Sequence, residues 1–306
     1  MKRIFLAALL AGLCGGVGAQ PRIRAERLDN KNVEFFIDEK TTPGTLTVYL
    51  TLKDLTNTNT PVGTTKCEVL YSGTRLLTLR PADASRGIGY GYSYRCFNGP
   101  VDKQVDTAFV YRMPTTVTKP VRVSRGVSVY DRFRKNDEEK EGALGLHFEM
   151  EKGDTVYAMR RGTVVRVDAS EKRDPNAPTV SFSSKSPNLL VEQPDGSLAW
   201  YVCLDRDNIL VAEGDEVLPG TPLALVGTYD GERYKFSVQT FWWVTNPDAE
   251  EPGQKPFVRK RFFPQFVTAE GVVCIEKGIC QAVETEALVT RELSKKELKK
   301  RRGGKK

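Results

Sequence analysis

The sequence predicts an all-β protein, and three observations carry that expectation. Short runs of β-branched, aromatic and aliphatic residues recur along the chain, turn residues separate them, and no helical apolar period interrupts them before the C-terminal tail. At 306 residues, with 40% apolar and 28% charged, the chain has the length and composition of two globular domains.

The N-terminus reads as an export signal. Lys2 and Arg3 precede an apolar run from Ile4 to Leu13, and Val17-Gly18-Ala19 places small residues before a cleavage point at Gln20. The run is short of the ~20 apolar residues a spanning helix requires, and no other segment is apolar enough to cross a bilayer. Cys14 raises the alternative of lipid attachment, but Leu13 is bulkier than the residue that processing needs. Residues 1–19 are therefore expected to be removed, leaving a periplasmic or extracellular protein.

Residues 20–126 are expected to form a β-sandwich-like domain. Val33–Ile37, Thr45–Leu52, Cys67–Tyr71, Arg75–Leu79, Gly89–Arg95, Ala108–Arg112 and Val121–Ser124 are its strand candidates. Alternation puts Tyr90, Tyr92 and Tyr94 on one face, either as a platform for sugars or as packing for a sheet. The charged run within 127–142 reads as a linker.

Residues 143–283 are again rich in strands and turns. The succession is Lys152-Gly-Asp-Thr-Val-Tyr-Ala158, Arg161-Gly-Thr-Val-Val165, Gln193-Pro-Asp-Gly-Ser-Leu-Ala-Trp-Tyr-Val-Cys-Leu204 and Val211-Ala-Glu-Gly-Asp-Glu-Val-Leu-Pro-Gly220, closing at Arg233-Tyr-Lys-Phe236. It is a chain of hairpins with Gly-Asp or Asp-Gly at the turns. In order, spacing and residue type this series resembles the LytM/lysostaphin-type peptidoglycan endopeptidases over about a hundred residues. The resemblance implies a β domain of the duplicated-hybrid-motif kind.

It also implies a zinc site, which in that family uses a His, an Asp four residues later and the second His of a closing His-x-His, with two further His assisting. Carried over residue by residue, those positions fall on Ala143, His147, Cys203, Arg233 and Lys235, and none keeps the family residue. Hydrolytic zinc needs three protein donors and an open water position. Arginine and lysine offer hydrogen-bond donors but no acceptor. A degenerate, non-catalytic member is therefore expected, without metal or other cofactor, its five altered positions lining a binding groove. The implied partners are peptidoglycan or a separate cell-wall hydrolase. The alternative is an active zinc endopeptidase with an atypical site. A biotinyl- or lipoyl-like carrier would need a modifiable lysine at a hairpin tip, and Met159-Arg160-Arg161 has none.

Export favours disulfides. Of the cysteines beyond the signal, Cys67 with Cys96 and Cys274 with Cys280 are the expected pairs, leaving Cys203 single. Residues 284–306 are expected to be a basic tail: nine Lys or Arg from 291 onward face only Glu292 and Glu297, a surplus equal to the formal net charge of +7. The body is therefore not basic, and export argues against a nucleic-acid role for the tail.

Overall fold

A computed structural model describes residues 21–127, 144–170, 186–228, 232–248 and 256–303. The export signal, Ala143 and all but the first residue of the 127–142 linker lie outside these.

Six strands make a first pair of layers: β1 (Arg22–Arg27), β2 (Val33–Glu39), β3 (Leu46–Thr56), β4 (Gly63–Val69), β5 (Arg75–Leu79) and β6 (Gly89–Asn98). They form two antiparallel three-stranded sheets, ordered β1-β2-β5 and β4-β3-β6. Alternation explains the packing: Val33, Phe35 and Ile37 of β2 and Val48, Leu50 and Leu52 of β3 point into one shared core. Tyr90, Tyr92 and Tyr94 pack against that core, with Tyr90 and Tyr92 edge-on to Phe35 at 5.4 and 5.2 Å. The tyrosine row thus serves the sandwich interior.

The remaining strands are β7 (Val110–Arg112), β8 (Val121–Val127), β9 (Leu144–Met150), β10 (Thr155–Tyr157), β11 (Gly162–Asp168), β12 (Asn188–Glu192), β13 (Leu198–Val202) and β14 (Leu204–Ile209). They continue as β15 (Glu216–Val217), β16 (Pro222–Val226), β17 (Tyr234–Thr245), β18 (Phe257–Phe262), β19 (Gln265–Thr268), β20 (Gly271–Val273) and β21 (Lys277–Cys280). A nine-stranded sheet runs β15-β11-β12-β13-β17-β9-β8-β21, and β18 follows β9 along the same edge of β17. Sheets β10-β16-β14 and β20-β19-β7 complete the fold, as the all-β expectation required.

The sheet's inner face carries the largest core, in which Phe148 and Phe236 stack at 4.9 Å beside Tyr201, Leu189 and Val164. β7 and β8 fall within 20–126, yet they are bonded into these later sheets, to β19 and to β9 and β21.

The first layer pair sits against one end of the sheet's other face. Glu192 accepts from the amide and hydroxyl of Thr45 at 2.7 and 2.6 Å, and the Trp243 indole donates to the Asn98 carbonyl at 2.8 Å.

The expected disulfides are corrected. None of the five described cysteines is bridged. Cys67 and Cys96 both pair with Val48, from opposite sides of β3. Two strand spacings place them about 10 Å apart, beyond the ~7 Å between Cα atoms that a disulfide spans. Cys280 is buried opposite Val121, whereas Cys274 is exposed and receives the Arg125 guanidinium at 3.0 Å.

The segment from Glu284 onward differs from a solvated tail. It forms helices α1 (Glu286–Thr290) and α2 (Lys295–Gly303), with Leu288 and Val289 buried. Three carboxylates dock it: Glu284 on Arg112 at 2.7 Å, Glu292 on Arg160 at 2.8 Å and Glu297 on Arg161 at 2.8 Å. Lys295, Lys296, Lys299 and Lys300 are exposed, so the charge count concealed the docking.

Candidate functional site on the outer face of the large sheet

Strand register assembles the site. Residues directly opposite one another in a sheet share a face, so a line across the strands gives a row of neighbouring side chains. One row reads Asn188, Val202, Ser237, His147, Ser124 and Lys277 across β12, β13, β17, β9, β8 and β21. The next row, to one side, holds Lys235, Glu149 and Arg122, with Arg122 and Glu149 ion-paired at 3.5 Å. To the other side lie Leu190, Trp200 and Gln239, whose amide oxygen accepts from Arg261 at 2.6 Å.

Around His147 this outer face is polar where the inner face is apolar, while Leu190, Leu198, Phe241 and Trp200 cluster further along it. Ser237, Gln239, His147 and Asn188 are buried on this face, at 2%, 5%, 8% and 8% exposure. His147 Nε2 lies 3.2 Å from the Gly126 carbonyl. Gly126 and Gly145 oppose one another beside it, and a Cβ on Gly145 would meet the Val238 carbonyl at 2.9 Å. With no side chain on either glycine, the His147 ring lies over Gly126 and the Gln239 side chain over Gly145, within 3.5 Å of where a Cβ would stand.

The sequence-derived positions are partly brought together. His147 and Lys235 are diagonal neighbours on this face, about 7 Å apart by sheet geometry. Cys203 lies between β13 and β14 in the left-handed region, at φ 69°, and is buried. Its carbonyl accepts from Gly227 at 3.0 Å, and the Gly227 carbonyl accepts from the amide of Lys235 at 3.2 Å, so Cys203 is tied to the start of β17 through backbone. A Cβ on Gly227 would sit 2.6 Å from the Leu204 carbonyl, which is why glycine stands there. Arg233 is exposed just ahead of β17. Ala143 lies outside the described residues.

The zinc implied by the resemblance does not fit these side chains. His147 is the sole histidine of the chain, and serines flank it on both neighbouring strands. Lys235 contributes an ammonium, which has no lone pair to donate while charged. Among the described residues no three His, Cys, Asp or Glu side chains converge on one point.

Sequence reasoning missed Glu149, Ser237, Gln239, Trp200 and the arginines around Trp200. Each is ordinary by local pattern and becomes a site residue only through register. Trp243 packs with Phe97 and Phe257 at 5.2 and 5.1 Å, in contact with the first layer pair. No helix among the described residues is long and apolar enough to cross a membrane.

No family model and no curated protein matches the chain. Solved structures show partial likeness. The catalytic domain of lysostaphin from Staphylococcus simulans is 21% identical over 31% of this chain and 64% of its own, with a TM-score of 0.25. A glycyl-glycine endopeptidase LytM, described as putative, from Ruminococcus gnavus is 16% identical over 49% and 58%, at 0.30. The chain thus spans less than two thirds of the length of either. Csd3 from Helicobacter pylori is 11% identical over 92% of this chain and 84% of its own, also at 0.30. Likeness at this level transfers no residue role, so function must be argued from the site itself.

Proposed function

We propose that this chain is an exported, non-catalytic LytM-like protein that binds peptidoglycan or regulates a separate cell-wall hydrolase through the outer face of its large sheet. One observation carries the reading. The row through His147 holds largely buried hydroxyl, amide and imidazole groups in place of converging metal donors, with the more accessible Lys235 and Arg122 beside it. Such a surface accepts peptide carboxylates and amides by charge-assisted and neutral hydrogen bonds. It offers neither a metal-bound water nor a second imidazole to move a proton.

The ordered hairpin motifs support the envelope setting, and the signal at 1–19 supports export. The test is co-sedimentation of the mature protein with purified sacculi, with and without periplasmic hydrolases, together with analysis of released fragments. Retention on sacculi, or a changed rate for an added hydrolase, is expected without release of fragments by the protein alone. Chelator-sensitive release of muropeptides by the protein alone would establish the alternative, an atypical zinc endopeptidase.

A further inference from the structure

Among the described residues the two buried arginines, Arg112 and Arg160, are met by carboxylates, whereas the partly buried Arg166 is not. Arg112 has Glu284, and Arg160 has Asp195 and Glu292, each within 2.8 Å. Arg166 has no such partner. Among the described residues its hydrogen-bond acceptor is the neutral side-chain oxygen of Asn188, at 3.3 Å, and its Nε is buried without any acceptor. Asp168 and Glu213 lie close enough to favour its charge, but neither bonds it. Burial presses the Arg166 pKa downward, against the ordinary behaviour of a guanidinium.

A specific backbone device puts Arg166 there. Register shifts between Val164 and Arg166, so β11 bulges at Val165. The bulge turns Arg166 onto the outer face opposite Leu190, while the Val165 carbonyl is taken by the Asn98 amide of the first layer pair at 3.2 Å. Bulges commonly re-aim a side chain beside a functional site. Here the side chain arrives at Trp200, whose ring lies 5.9 Å from the Arg166 guanidinium carbon and 5.2 Å from that of Arg259. Asn188 Oδ1 also accepts from the Trp200 indole at 2.8 Å, which fixes the ring.

Desolvating a guanidinium without a hydrogen-bonded carboxylate costs stability. A fold that spends a bulge and an oriented amide to hold one beside an indole has prepared a place for an anion. We propose that Arg166, Asn188 and Trp200 form a carboxylate-binding subsite on the outer face, which takes a free carboxylate of a peptidoglycan fragment. This rests on the proposed function and names the chemical group recognised. Arg166 supplies the charge, Asn188 holds the guanidinium plane, and Trp200 gives the neighbouring apolar part of the ligand a flat surface.

The experiment is calorimetric titration of the mature protein with a purified disaccharide-tetrapeptide, with the same fragment amidated at its peptide carboxylates, and with a chitin oligosaccharide that has no carboxylate. Arg166→Gln and Arg166→Lys are compared with the unmutated chain, and thermal melting is followed for each. The free acid should bind, and the chitin oligosaccharide should not. Arg166→Gln should weaken binding about tenfold or more, as expected for loss of a charge-assisted hydrogen bond. Arg166→Lys should fall between. A fragment that loses affinity on amidation uses its stem carboxylates; one that keeps it while still depending on Arg166 uses the lactyl-derived part of the sugar, bound there through its carbonyl, which would overturn the carboxylate assignment. Melting of Arg166→Gln should be unchanged or higher, because the unpaired charge is gone; a large fall would mark Arg166 as structural and overturn the proposal. Equal binding by Arg166→Gln and the unmutated chain would sink the subsite while leaving the proposed function intact. No binding of either fragment or sacculi by the unmutated chain would remove both.

Discussion

Arg160 and Glu292, 132 residues apart, meet through three nitrogen-to-oxygen contacts of 2.8 to 3.1 Å. The arginine is 4% exposed, also bonds Asp195 at 2.8 Å, and lies 3.7 Å over the Phe109 ring. The C-terminal segment is therefore part of the folded body.

Breaking that pair should be costly. Arg160→Ala strands two carboxylates that are 13% and 17% exposed, and loss of one partner of a buried pair typically costs about 3 kcal/mol. Urea denaturation should show a loss of that order, with α1 and α2 becoming protease-sensitive. Lys299→Ala, on the exposed side of α2, should leave both unchanged. Equal sensitivity of the two variants would contradict the docking.

Acid should loosen the same segment first. The hydrogen bond from Arg161, then those from Ser294, hold the Glu297 carboxyl down at about 2. Burial pushes Asp195 upward, but bonds from Ser197 and Arg160 more than offset it and keep it below the ordinary value. Because both folded values are lowered, their contribution is complete above the unfolded carboxylate range of about 4 and is lost as pH falls toward 2. Hydrogen exchange between pH 5 and 2.5 should show α2 losing protection before β2 or β3. Loss of protection on raising the pH through neutrality would reverse the assignment.

The cysteines should rank by access. Cys274 is exposed and should alkylate fastest. Burial pushes the Cys96 thiol up to about 12 and raises Cys67 as well, so both should react slowly at pH 8. Mapping under non-reducing conditions should find no Cys67–Cys96 peptide. Its recovery in high yield would mean that β3 does not lie between β4 and β6.

Metal binding can be restored in principle. The unmutated chain should hold well under one equivalent of zinc after dialysis. The combined change Ala143→His, His147→Asp and Lys235→His should raise this toward one, because it supplies two imidazoles and a carboxylate at the positions the resemblance implies. A properly folded triple variant that gains no metal would show that the family alignment is offset.

Strand positions were readable because alternation is local: β5 coincides with its expected span, and β2 runs only two residues beyond the expected Val33–Ile37. Strand partners were not, since nothing near Val121 states that it will lie beside Cys280. The same blindness paired Cys67 with Cys96 from the proximity of similar strands. At the site, His147 and Lys235 were identifiable by motif. Arg166 was not, because its orientation depends on a bulge at Val165 and its neighbours come from β12 and β13. In the tail, composition set nine basic groups against Glu292 and Glu297, and nothing local states that these two and Glu284 meet arginines far back in the chain.

Those glutamates also order events in time. Synthesis proceeds from the N-terminus, and Arg112, Arg160 and Arg161 appear 172, 132 and 136 residues ahead of the carboxylates that meet them. Until residues 284–297 emerge, burying Arg112 would seal a charge without its counter-ion and Arg160 would have Asp195 alone, so early collapse of this half is disfavoured. β8 likewise waits for β21. A nascent chain thus stays open over this half and closes late, which would keep it competent for the proposed export through a narrow pore.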